Sequence, residues 1–135
     1  MGIIDEIKNI PNLYHVKGCT TSQIKEAQKE LGIIFPEEFI DYVKEYGAIS
    51  FYGTEWMGLN VEGYLNVVEA TRQEREMNDH FPKDCFVIEN QGIEGLVAVV
   101  DEKGLVYNLQ YDKKEFICNS LSDYLRMCGN RAANK

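Results

Sequence analysis

The chain has no apolar run approaching the roughly 18 residues that a membrane span requires. It has only three prolines and two histidines, and its four cysteines contain no C-x-x-C spacing. The missing span, together with a start, MGIIDEIKNI, that has neither the basic residues nor the length of a secretory signal, places the expected location in the cytoplasm, away from membranes. Cys19, Cys85, Cys118 and Cys128 are widely separated. In a reducing compartment they read as buried thiols rather than disulfides or zinc ligands. His15 and His80 lie in different segments without ligand spacing, so no metal site is expected. No cofactor is expected either: there is no G-x-G-x-x-G, no P-loop lysine and no G-x-S-x-G, and the closest glycine-rich run, QGIEG, holds an acid where phosphate would sit.

Positive charge is also scarce. Fourteen Lys and Arg face 22 Asp and Glu, a net charge of −8. Such a chain repels nucleic-acid phosphates and attracts basic partners, so direct nucleic-acid binding is not expected. The imbalance is local: residues 30–69 hold eight acids and one base, whereas residues 1–29 hold three acids and four bases.

What is present suits one globular domain over residues 1–135, with 44% apolar and 11% aromatic residues. Ile3, Ile4, Ile7 and Ile10 recur at helical spacing until Pro11. In TTSQIKEAQKELG, Thr20 and Gln23 form a capping-box pattern, Ile24, Ala27, Gln28 and Leu31 share a face, and Gly32 closes the helix. Pro36 then fits the first turn of a third helix, with Glu37 and Glu38 at its positive end and Gly47 as a left-handed terminator. Phe39, Val43 and Tyr46 mark its inner side. Glu37, Asp41 and Glu45, spaced by four, stack along the other with only Lys44 to relieve them.

Ala48–Tyr52 and Glu55–Leu59 read as strands broken by Gly53, with Leu65–Val68 as a further candidate. EATRQEREMND reads as a polar surface helix anchored by Ala70 and Met77. CFVIEN, GLVAVVD, GLVYNLQ and KEFICN read as four strands, paired most simply as antiparallel neighbours. Ser120 or Ser122 caps a closing helix whose Leu121, Tyr124, Leu125 and Cys128 face inward.

Three further features have two readings each. Trp56 is either a core residue or, with Tyr52 and Glu55, part of an aromatic patch ringed by charge, as at interface hot spots. Tyr52 divides evenly between the two. Glu89 and Glu94 can be imagined as a glycosidase-like pair, but among 22 acids such a pair arises by chance.

The order of features resembles the SUKH superfamily, the Smi/Knr type of domain, from about Thr20 to Leu125. The resemblance is carried by L-G-x-x-(L/F)-P-x-x-(F/Y) at Leu31, Gly32, Phe35, Pro36 and Phe39, by Gly47 after the helix, by Gly53 to Trp56 as G-x-x-W, and by the closing SLSDYL. Phe35 stands where leucine is more usual. The resemblance implies an α+β fold with a central, mainly antiparallel sheet flanked by helices, and no catalytic residues. It further implies either an immunity protein that neutralises a cognate toxin, often a nuclease, or a regulatory interaction module. A toxin with a basic surface is then the expected partner, and Glu37, Glu38, Asp41, Glu45, Tyr52, Glu55 and Trp56 are the expected contact residues.

Overall fold

A computed structural model describes residues 2–133. The chain opens with α1 (Ile3–Lys8), whose Ile3 and Ile7 are buried, and then forms a two-residue strand, β1 (Tyr14–His15). In α2 (Thr21–Leu31) the capping box is formed: Thr20 Oγ1 accepts the Gln23 N–H at 3.2 Å and Gln23 Oε1 accepts the Thr20 N–H at 2.8 Å. Gly32 ends the helix in the left-handed conformation, at φ 68° and ψ 31°. The side chain of Gln28 turns to the connector, where its Oε1 accepts the Phe35 N–H at 2.8 Å.

α3 (Glu37–Tyr46) begins one residue later than expected, with Pro36 as its N-cap. Its inner side comprises Phe39, Tyr42, Val43 and Tyr46. Phe35, Phe39 and Phe86 form a close triangle, with ring centroids 4.6 to 5.0 Å apart, in the tilted and edge-on geometries that aromatic quadrupoles favour.

Gly47 departs from the expected cap. Its φ is 67° but its ψ is −75°, outside the left-handed helical region. Close crossing of the backbone explains this, since a Cβ on Gly47 would stand 2.5 Å from the Lys17 carbonyl oxygen and one on Gly58 would stand 1.7 Å from that of Gly47. Leu59 N–H donates to the Gly47 carbonyl at 3.0 Å, locking the crossing.

β2 (Ile49–Phe51) and β3 (Thr54–Trp56) form a hairpin with β1 on its outer edge, all antiparallel. β4 (Cys85–Asn90), β5 (Leu96–Asp101), β6 (Val106–Gln110) and β7 (Lys113–Cys118) form a four-stranded antiparallel meander. The two leaves meet where Met57 N–H donates to the Ile88 carbonyl at 2.7 Å. The sheet is thus divided into two leaves, and the fold is α+β.

Leu65–Val68 is not a strand. A 3-10 turn covers Gly63–Leu65, and Asn66 caps α4 (Val67–Met77) by accepting the Val68 and Glu69 N–H groups. Two valines suggested a strand, but the cap beside them started a helix. α4 is anchored by Val67, Val68 and Thr71 rather than by Met77, which is 72% exposed. Ser120 caps α5 (Leu121–Ala133) through the Asp123 N–H, and Leu121, Tyr124, Leu125 and Cys128 are buried as expected. α1 packs against α3 and α5, while α2 packs against α4. All four cysteines are buried, free thiols. Among the described residues no helix is long and apolar enough to cross a membrane.

Candidate partner-binding surface

The 3.6-residue period that buries Phe39, Tyr42, Val43 and Tyr46 also turns Glu37, Asp41 and Glu45 outward. All three are exposed, and among the described residues none is in a salt bridge. Lys44 is the one base on this helix.

Glu38 is different. It is half-buried, and its carboxylate accepts the Leu121 N–H at 2.8 Å and the Ser122 hydroxyl, closing the start of α5. Its expected place in the contact surface is therefore corrected: the charge is already hydrogen-bonded within the fold, at a helix N-terminus where an anion is favoured.

Trp56 is corrected too. It is fully buried, edge-on to Tyr42 at 5.5 Å and stacked on Tyr124 at 6.0 Å, so it reaches no surface. The alternation of β3 explains the difference from its neighbour: Thr54 and Trp56 point inward and Glu55 between them is half-exposed. Glu55 accepts the Tyr64 hydroxyl at 2.9 Å, and this bond with its negative charge raises the Tyr64 pKa. Tyr52, at the β2–β3 turn, is 51% exposed. The expected patch of Tyr52, Glu55 and Trp56 is thus split by the pleat. Tyr52 lines a cleft with α1 and α5, whereas the hydroxyl partner of Glu55 stands in a hollow beside α4.

That hollow adjoins a groove of about 460 Å³ lined by Glu26, Glu30, Glu62 and Glu69. Glu62 and Glu69 belong to the acidic segment, but Glu26 lies in the nearly neutral first part of the chain, where a count of net charge hides it. The available signal is its spacing of four from Glu30 on α2. Arg72 reaches Glu30 at 3.8 Å, a weak exposed pair.

The two thiols that burial shifts furthest are not activated nucleophiles. Burial, then the neighbouring Asp84, pushes the Cys85 thiol up to about 12; burial, then Glu89, pushes Cys128 up to about 11. Both remain protonated near neutral pH. His15 lies edge-on to Tyr46 at 5.2 Å, with Nδ1 2.9 Å from the Val16 carbonyl oxygen. Glu89 is buried, hydrogen-bonded to Tyr124 and paired with Arg131 at 3.0 Å, while Glu94 is exposed in the β4–β5 loop. The imagined carboxylate pair therefore consists of one structural residue and one solvated residue.

A family model described as SMI1-KNR4 cell-wall, of the SUKH group, matches residues 2–129. A search of curated proteins finds no match. The match spans nearly the whole chain, from α1 into α5, and the chain belongs to the SUKH (SMI1-KNR4) family.

Proposed function

We propose that this chain is a non-catalytic immunity protein that binds and neutralises a cognate toxin domain through the acidic face of α3. The preferred target is a nuclease, because a cleft that holds phosphates must be positive. The single observation that carries the reading is the row Glu37, Asp41 and Glu45: exposed, spaced by four and without ion pairs among the described residues. Like charges stacked on one helix cost a few tenths of a kcal/mol per pair, about the wrong sign for a face that serves folding alone. Membership of the SUKH family supports the same reading.

In this mechanism the carboxylates enter the field that the toxin uses to hold its substrate. Complementary charge raises association rates by roughly 10- to 1,000-fold, an effect that salt removes. Apolar contacts then set the rate of dissociation.

The test is to express the products of the neighbouring reading frames, to co-express this chain with any that is toxic, and to measure binding kinetics for that pair. Reversal of Glu37, Asp41 and Glu45 to lysine should abolish protection, slow association at low salt and flatten its salt dependence. Full protection by that variant would remove the α3 face from the mechanism. The second reading, a regulatory module that recognises a basic peptide, rests on the same exposed acids of α3. It predicts peptide binding that depends on the same three acids, with no protection against any toxin.

A further inference from the structure

A hollow of about 280 Å³ lies between α4 and the β4–β5 loop, lined by Glu74, Asn90, Ile93, Glu94, Leu96 and Val97 among others. Pockets that enclose whole small molecules run from roughly 300 to 1,000 Å³, so this one has room for a single side chain. The surface around it is apolar. Ile93 is exposed in the loop, Met77 is exposed one turn of α4 beyond Glu74, and Tyr111 is exposed at the β6–β7 turn. Tyr111 belongs to the same place: a Cβ on Gly95 would stand 2.7 Å from its ring, and the side chain of Asn78, next to Met77, donates to its carbonyl at 2.8 Å. Single exposed hydrophobics are ordinary, whereas grouped ones mark interaction sites.

The charge in the hollow is negative and unpaired. Glu74 is half-buried, and burial alone raises its pKa. Glu94 stands on the loop wall, close enough to Tyr111 for its charge to add to burial in raising the tyrosine pKa. Among the described residues neither acid is in a salt bridge. The bases of α4 are engaged elsewhere, Arg72 with Glu30 and Arg75 with the Leu31 and Lys83 carbonyls, and Lys113, just after the β6–β7 turn, forms no salt bridge. A carboxylate that has lost water and gained no partner is stabilised by an incoming cation.

The cation must also fit the walls. Among the described residues no group of three His, Cys, Asp or Glu could hold a metal ion, and Ile93, Leu96 and Val97 favour an apolar stem behind the charge. Lysine and arginine both have one. Arginine fits better, because its planar, weakly hydrated guanidinium gives up less water, can bridge two carboxylates and stacks on an aromatic ring such as that of Tyr111. A free small cation would leave Ile93, Met77 and Tyr111 uncovered. An arginine carried by a protein brings the surface that covers them.

We propose that this hollow receives an arginine side chain of a protein partner, with apolar neighbours of that arginine resting on Ile93, Met77 and Tyr111. The site includes no residue of α3, so it goes beyond the acidic-face reading and does not rest on it.

The probe is the peptide acetyl-Leu-Arg-Leu-amide, titrated into the ¹⁵N-labelled full chain at low salt beside its citrulline counterpart, which keeps the shape and loses the charge. The arginine peptide should shift the amide signals of Glu74, Ile93, Glu94 and Leu96 saturably and leave those of Glu37, Asp41 and Glu45 nearly unmoved. The citrulline peptide should bind about ten-fold more weakly or worse, the loss expected of one anchor. The lysine peptide and arginine amide alone should both bind more weakly than the arginine peptide; equal binding by either would reject arginine or the protein source. Glu74→Gln should abolish the response without lowering thermal stability, since the carboxylate has no partner in the fold to lose. Ile93→Ser, in an exposed loop, should weaken the peptide several-fold. A response that persists in Glu74→Gln, or shifts as large along α3 as in the hollow, would overturn the proposal. Hollow signals that move with chain concentration alone would also overturn it, by assigning the patch to a second copy. The variant with Glu37, Asp41 and Glu45 reversed to lysine should bind the peptide as the parent does, and loss of binding there would move the site to α3.

Discussion

Glu89 and Asp41 are both carboxylates of a strongly acidic chain, and their surroundings differ in every respect. Glu89 is 4% exposed, at a bulge in β4, where Tyr124 donates its hydroxyl and Arg131 supplies a cation. Asp41 is exposed on α3, with Glu37 and Glu45 one turn away on either side and no salt bridge among the described residues. The first ties the final helix to the sheet; the second has no salt-bridge or side-chain hydrogen-bond partner among the described residues. Number of acids is therefore a weak guide to a binding surface, and the partners each acid already has are a better one. Glu37 and Glu38 make the same contrast between adjacent residues, since only Glu38 is hydrogen-bonded to α5.

The largest effect should come from Trp56, the residue that changes sides in this comparison. Trp56→Ala removes the ring that touches both Tyr42 and Tyr124 and should cost about 3–5 kcal/mol in urea denaturation. A loss under about 1 kcal/mol, with partner binding reduced, would return Trp56 to the surface. Glu89→Ala comes next, at about 2–4 kcal/mol, because it leaves the buried Tyr124 hydroxyl without its acceptor and Arg131 without its charge partner. The lower end applies because the Arg131 side chain is 42% exposed. If Asp41→Ala were equally costly, the contrast between employed and free carboxylates would fail.

Glu38→Ala against Glu37→Ala sharpens the comparison at neighbouring positions. Loss of the Glu38 contacts with Leu121 and Ser122 should cost about 1 kcal/mol, as for a helix cap, whereas Glu37→Ala should stay within about 0.5 kcal/mol. Matched urea titrations of the two variants provide the measurement.

These distinctions also show what sequence reasoning can reach. The α3 row was legible because a helical period assigns both faces at once: the apolar positions that give Phe39 and Val43 their side also give Asp41 its own. β4, β5 and β6 of the second leaf are legible for a similar reason, as apolar runs separated by glycine-containing turns, whereas β7 is mostly exposed and follows β6 through Tyr111-Asp112 without a glycine. β1 was not, because two exposed residues carry no alternation. Local pattern puts Glu38 on the surface, because its partners Leu121 and Ser122 come from a helix more than 80 residues away and leave no trace in the neighbouring sequence. Glu89 escaped for the same reason, its cation being Arg131. The Glu26 groove escaped because it joins α2 to the loop before α4. Local period thus identified which way side chains turn, and only the folded chain showed what they meet.

The smallest expected effect bears on the acidic row itself. Asp41 is the middle of three like charges, so Asp41→Asn removes both i, i+4 repulsions without changing side-chain shape. Asparagine and aspartate have similar helix propensities, which leaves electrostatics as the main difference. Stability should rise by about 0.2–0.5 kcal/mol at low ionic strength. The gain should vanish in about 1 M salt, where the screening length falls to about 3 Å. Paired denaturation curves at the two salt concentrations measure it. Association with a basic partner should move the other way, slower at low salt and less salt-dependent. Opposite signs for folding and association would mark Asp41 as a residue kept at a cost to the fold; a stability loss at low salt would mean that the row serves folding after all.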